Sequence, residues 1–149
     1  MKTDWEIIGL DEIEKMVKEL GEIPGKCVTG AAKAEAKLSL EYAKSHAPKD
    51  SGDLARGIVI IKGERKKPGK KVYQVGMDPR MNDTFVKISS TGKRYYYPAS
   101  IEYGFLKKDG TRVEGKHFLR DSLTEQTGKL EEVALQKLGQ LIDKELKKR

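Results

Sequence analysis

The chain has 149 residues, of which 36% are charged and 37% hydrophobic, and its formal net charge is +7. Its length fits a single domain over residues 1–149, because a domain of this size buries enough surface to fold without disulfides or a structural metal. One cysteine, Cys27, excludes an internal disulfide. No apolar run approaches the ~20 residues of a membrane span, so we expect a soluble cytoplasmic protein with no membrane partner.

The first part of the chain predicts two amphipathic helices. In the first helix, apolar residues recur at three- and four-residue steps: Leu10, Ile13, Val17 and Leu20. Gly21 is placed to end this helix, and Pro24 fits the first turn of a second one. The Ala-rich run Ala31–Ala43 favours helix. Because a residue before proline avoids helical geometry, the second helix should end near Ala47, which precedes Pro48.

The middle of the chain predicts a β-hairpin with a positively charged tip. Ile58–Ile61 and Val72–Gly76 are rich in β-branched residues or alternate in polarity, and Pro68 and Gly69 lie between them. Phe85–Ile88 is a candidate third strand. Six cations crowd the tip: Lys62, Arg65, Lys66, Lys67, Lys70 and Lys71.

The last part predicts a turn followed by a long helix. Asp109 and Gly110 are a turn signal, and apolar residues then hold helical spacing from Phe118 to Leu146. This order of elements predicts an α+β fold. Two N-terminal helices and a long C-terminal helix would pack on one face of a small antiparallel sheet.

The sequence gives little support to catalysis or cofactor binding. Cys27, His46 and His117 lack the close ligand pairs of a structural zinc site. Ser51, Asp53 and His117 can be drawn as a nucleophilic triad, but the strand–turn–helix signature of a nucleophile is missing, and turn or capping chemistry explains Ser51. Phosphate-cradling glycine motifs are absent. We assign no catalytic residues, and we expect no enzymatic activity, no cofactor and no metal. Other acids are interpreted as solvated surface: Glu102, Asp109, Glu114 and Asp121.

The basic hairpin tip has two interpretations. Each phosphate that a Lys or Arg neutralises releases counterions, so the tip is a candidate for nucleic-acid contact. Lysines on a hairpin also discourage edge-to-edge aggregation. We favour this second interpretation, because the aromatic side chains that interleave with cations in a single-strand binding groove are missing there.

Three segments in a fixed order resemble segments of one known family. They are Ala47–Ile58, Tyr97–Gly104 and Gly115–Leu123. Together with the elements between them they cover most of the chain from about Ile23 onward, and they are similar to the HK97-type gene-product-ten family, the minor tail or neck proteins of siphophages and prophages. The chain departs from the family pattern at His117, where a proline is usual, and at Phe105, where a small hydroxyl residue is common.

The resemblance implies an α+β fold and a structural role in head–tail joining or tail completion, with copies of the chain forming a ring around the DNA path. Its structural motif residues here are Pro48, Gly52, Leu54, Glu102, Gly104, Phe118 and Leu119. The implied partners are copies of the chain itself and adjoining neck, connector or tail proteins, first in the bacterial host cytoplasm and then in the virion. The six tip cations are candidate contacts to DNA or a partner. The alternative function is a small nucleic-acid-binding protein that uses this tip.

Overall fold

A computed structural model describes residues 10–63 and 71–148. Within these ranges the chain forms an α+β fold, which confirms the predicted class. The helices are α1 Leu10–His46, α2 Asp53–Gly57, α3 Asn82–Phe85, α4 Tyr97–Tyr103, α5 Phe118–Thr124 and α6 Thr127–Leu146, with a 3-10 helix at Pro79–Met81. The strands are β1 Ile58–Lys62, β2 Tyr73–Met77, β3 Val86–Ile88, β4 Arg94–Tyr96, β5 Gly104–Leu106 and β6 Arg112–Glu114. None of the helices in the described ranges is both long and apolar enough to cross a membrane.

The N-terminal part is one helix of 37 residues, so the prediction of two helices is wrong. Pro24 lies inside α1 and not at a helix start. A proline there removes one hydrogen bond and opposes helix geometry, but Ile23 and Cys27 on either side of it are buried. Burial of this face outweighs the local cost of the proline. The predicted end is confirmed, since α1 stops at His46.

Helix α6 packs along α1 in the antiparallel direction. Leu141 meets Gly30, while Glu131 faces Glu35 and Glu145 faces Cys27. The prediction that the long C-terminal helix packs on the sheet is therefore wrong, because its main partner is α1. The predicted continuous helix is also interrupted between α5 and α6.

The strands form separate two-stranded hairpins, not the single small sheet that was predicted. The β1–β2 hairpin has the predicted position and an antiparallel register that runs from Ile58 opposite Met77 to Lys62 opposite Tyr73. Strand β3, predicted to extend this sheet, pairs with β4 instead. Strands β5 and β6 form a third hairpin around the turn predicted at Asp109 and Gly110.

The main core cluster lies where the C-terminal end of α1 meets the elements that follow it. Its buried members are Ala43, Ala47, Leu54, Ile58, Phe85 and Phe118. The small Ala43 and Ala47 side chains let the other elements approach α1 closely, and the two phenylalanines fill most of the space. This cluster joins α1 to α2, β1, α3 and α5.

Candidate functional site

Two of the three motif segments, Tyr97–Gly104 and Gly115–Leu123, meet at one junction, and Glu102 is its central residue. The Glu102 side chain is only 3% exposed, which corrects its interpretation as solvated surface. Its Oε2 accepts a hydrogen bond from the Leu119 amide at 3.0 Å, and its Oε1 accepts one from the Arg120 amide at 3.0 Å. Because the first amides of a helix have no partner within the helix, this carboxylate caps α5 and fixes α4 against it.

The backbone around Glu102 completes the junction. The Lys116 amide donates to the Ile101 carbonyl oxygen at 2.7 Å, and the His117 amide donates to the Glu102 carbonyl oxygen at 3.2 Å. His117 has a positive φ of 49°, which is uncommon for a residue other than glycine. The turn that it makes directs Phe118 into the core, where that ring is almost fully buried.

Gly104 joins the end of α4 directly to strand β5. Its φ of 82° is strained for residues with a side chain. A Cβ atom at this position would also overlap the carbonyl oxygen of Val113. Glycine is therefore required at Gly104 for two independent reasons, positive φ and close backbone approach.

The first motif segment contributes a turn and a short helix. Gly52 has a positive φ of 75° directly before α2. Asp53 begins that helix; its Oδ2 accepts a hydrogen bond from the Ser51 hydroxyl at 2.7 Å, and its Oδ1 pairs with Arg56. The Ser51 hydroxyl, followed by Arg56, lowers the pKa of the Asp53 carboxyl. This local network holds the turn that places Leu54 in the core.

A second polar contact in the interior was not predicted from the sequence. The hydroxyl groups of Ser39 on α1 and Ser122 on α5 are hydrogen-bonded at 2.8 Å, and both residues are buried. The Ser122 hydroxyl also donates to the Leu119 carbonyl oxygen at 2.6 Å. The sequence gives no signal for this pair, because serines 83 positions apart carry no periodic pattern.

Two of the candidate groups for catalysis or metal binding, Ser51 and His46, have other partners. The Ser51 hydroxyl bonds to Asp53 directly, and no hydrogen bond in the described part of the chain joins His117 to either residue. The His46 ring stacks on Tyr42, and its Nδ1 lies 3.0 Å from the Tyr42 carbonyl oxygen. Cys27 is buried, and burial together with the nearby Glu145 raises its thiol pKa. Residues 10–63 and 71–148 contain no cluster of three or more potential metal ligands.

Most of the basic tip lies outside the described residues. Arg65, Lys66, Lys67 and Lys70 belong to the range 64–70, which the structure does not describe. Strand β1 ends at Lys62. On the other side of the tip, the Lys71 ammonium lies 5.6 Å from the centre of the Tyr73 ring.

The two smaller hairpins present large apolar side chains to solvent. Ile88 on β3 is 71% exposed, and on the third hairpin Phe105 is 45% and Leu106 is 70% exposed. A two-stranded hairpin in isolation is only marginally stable in water.

Comparison of the chain with protein-family models, with curated proteins and with solved structures gives no match. The assignment of a function therefore depends on the resemblance of the three segments and on the geometry described above.

Proposed function

We propose that this chain is a structural assembly protein of a tailed phage or prophage, which acts in head–tail joining or tail completion through ring-like oligomerisation. The observation that supports this most directly is the junction at Glu102. Two of the segments that resemble the tail and neck family are held together there by the carboxylate of Glu102, and the Leu54 side chain of the remaining segment shares a core cluster with Phe118.

The exposed hairpins support the self-assembly part of the proposal. A protein whose product is an interface needs apolar side chains that stay uncovered in the single chain, and Ile88, Phe105 and Leu106 are of this kind. A head-to-tail contact between different surfaces of two copies closes into a ring when the rotation between neighbours permits it. The chain would then act in the host cytoplasm and afterwards in the virion.

Assembly state and partner binding test the proposal. Native mass spectrometry and electron microscopy of the full chain at rising concentration should reveal a closed ring, either alone or on addition of tail-tube or connector proteins encoded by neighbouring genes. A chain that stays monomeric and also binds none of those proteins would contradict the proposal.

Nucleic-acid binding through the tip is the second candidate, favoured by the net charge of +7 and by the six clustered cations. If about four phosphates are contacted, affinity for a duplex should fall roughly 100-fold between 50 and 200 mM salt.

The test variant replaces four tip lysines with glutamine: Lys66, Lys67, Lys70 and Lys71. A control variant makes the same charge change on α6 and just beyond it: Lys137, Lys144, Lys147 and Lys148. Fluorescence anisotropy should show loss of binding in the first variant only, and no binding of the unmodified chain at low salt would exclude this candidate.

A further inference from the structure

An open cleft of about 610 Å³ lies between α1, α5 and α6 and is bounded on one side by β2. Five consecutive residues, Lys71–Val75, line this side. Strand β1 pairs with one edge of β2 along its whole length. Within residues 10–63 and 71–148 no strand other than β1 pairs with β2, so the second edge of β2, beside the cleft, has peptide groups available to another strand.

The remaining walls of the cleft are mainly apolar and carry two carboxylates. Ala32 and Ala36 line it from α1, and Leu123 lines it from α5. Glu35 on α1 and Glu131 on α6 also line it. Burial raises the pKa of Glu35, and the Glu131 carboxylate raises it further. An occupant that fits these walls is extended, apolar and positively charged.

The β5–β6 hairpin has these properties. Phe105 and Leu106 on β5 are exposed, and Lys107 and Lys108 follow them directly and are exposed as well. Strand β6 pairs with one edge of β5, and no strand in the part of the chain that the structure describes pairs with the opposite edge. The exposed apolar residues and the two lysines of this hairpin therefore complement the apolar walls and the two carboxylates of the cleft. Residues 64–70 of the same chain also supply cations, but none of them has a side chain suited to the apolar walls except Pro68.

We propose that strand β5 of one copy adds to the free edge of β2 in a second copy, with Phe105 and Leu106 against the apolar walls and Lys107 and Lys108 opposite Glu35 and Glu131. Main-chain hydrogen bonds would supply affinity in this mode, and the side chains would supply specificity. The contact joins two different surfaces, so it repeats from copy to copy. This inference rests on the proposed self-assembly and names the surfaces that produce it.

Charge reversal on each surface tests the contact. The hairpin variant carries Lys107→Glu and Lys108→Glu, and the cleft variant carries Glu35→Lys and Glu131→Lys. Each alone should weaken self-association at least about tenfold, because like charges then face each other. A 1:1 mixture should restore assembly, since a copy of one variant can pair opposite charges with a copy of the other variant through either of its two surfaces. Control variants Lys93→Glu and Glu41→Lys change charge on other exposed surfaces and should assemble normally; circular dichroism confirms that each variant is folded.

Zero-length cross-linking gives an independent measurement on the unmodified chain. A carbodiimide should link Lys107 or Lys108 to Glu35 or Glu131, and a mixture of ¹⁵N-labelled and unlabelled chains should yield peptides joined between copies. If the chain assembles but neither double variant weakens it, or if these links occur only within one chain, the inference is wrong while the proposed function stands. If the unmodified chain forms no assembly with itself under any condition, both the inference and the self-assembly proposal are wrong.

Discussion

At the scale of single residues, Glu102 links α4 to α5. It satisfies two amides at the start of α5 from a buried position on α4. Removing such a charged acceptor leaves an amide without a partner in the interior, which costs more than the bond itself contributes.

Replacement of Glu102 by Gln should lower the free energy of unfolding by about 2 kcal/mol, since the amide oxygen can accept only one of the two bonds properly. Urea denaturation measures this change. Glu114→Gln is the matched control, because Glu114 pairs with Arg112 only at the surface; its effect should stay within about 0.5 kcal/mol. Equal effects of the two substitutions would contradict the capping role.

Gly104 and Gly110 provide a second comparison. Both have a φ of 82°, but only Gly104 lies against another backbone segment; a Cβ at Gly110 would meet open space. Gly110→Ala should cost about 1 kcal/mol for the backbone conformation alone, whereas Gly104→Ala should cost at least about 2 kcal/mol more. Thermal unfolding of the two variants checks the difference, and a smaller cost at Gly104 would exclude the close approach.

At the scale of elements, the packing of α1 against α6 keeps α1 helical through two residues that predict a break in the helix. Gly21 and Pro24 are local signals for a break, and the observed helix continues through both. The favourable packing that outweighs these two signals comes from α6, which lies more than 100 positions away in the sequence. A local sequence pattern contains no information about such a partner. By contrast, the end of α1, the β1–β2 hairpin and the turn at Gly110 were predicted correctly, because proline, β-branched residues and glycine act within a few positions.

Pro24→Ala should raise the free energy of unfolding by about 1–3 kcal/mol, because the helix regains a hydrogen bond and loses a steric conflict. Pro79→Ala serves as the control: Pro79 begins the 3-10 helix, where its fixed φ is suited to the structure, and its removal should lower stability by up to about 1 kcal/mol. Urea denaturation distinguishes the two signs. A stability loss for Pro24→Ala would show that the proline has a favourable role.

The facing carboxylates of Glu35 and Glu131 give the α1–α6 contact a pH dependence. Burial and Glu131 raise the pKa of Glu35 in the folded chain, so its charged form is disfavoured there. Its contribution to stability is therefore fully present below its ordinary pKa and is lost as pH rises through the raised value. Lys71 lines the same cleft, but it is not a cause of this shift.

Glu35→Gln should accordingly raise the melting temperature at pH 7 by on the order of 1–2 °C, and this gain should vanish near pH 4, where the native carboxyl is protonated. Glu41→Gln, on an exposed position of α1, should show no such pH dependence. Scanning calorimetry over this pH range measures both. A gain that persists at pH 4 would assign the effect to something other than charge.

At the scale of the whole molecule, stability is distributed unevenly. Strand β1 belongs to the core through Ile58, which is fully buried, while the β5–β6 hairpin exposes Phe105 and Leu106. Amides of β5 and β6 should exchange with solvent on the order of a hundredfold faster than those of β1 in the dissociated chain. Hydrogen-exchange mass spectrometry measures this, and equal protection would mean that the hairpin is stable without a partner.

The candidate site could be predicted only in part at this scale. The motif segments identified Glu102, Gly104 and Phe118 as structural residues. Glu102 was nevertheless interpreted as solvated surface, because a single acid in a highly charged sequence carries no sign of burial. The Ser39–Ser122 pair and the cleft beside β2 depend on how α1, α5 and α6 converge. Such convergence is set by the tertiary fold and not by the spacing of residue types.

The antiparallel pairing of α1 and α6 also determines how the molecule responds to a mechanical load. Glu145 lies beside Cys27, so the part of α1 before that point and the end of α6 are at the same end of the pair. Tension applied there would peel the two helices apart one turn at a time, which needs little force at any moment. The core around Phe118 lies toward the opposite end and would bear the load last. The contact between α1 and α6 would therefore separate at a lower force than the core.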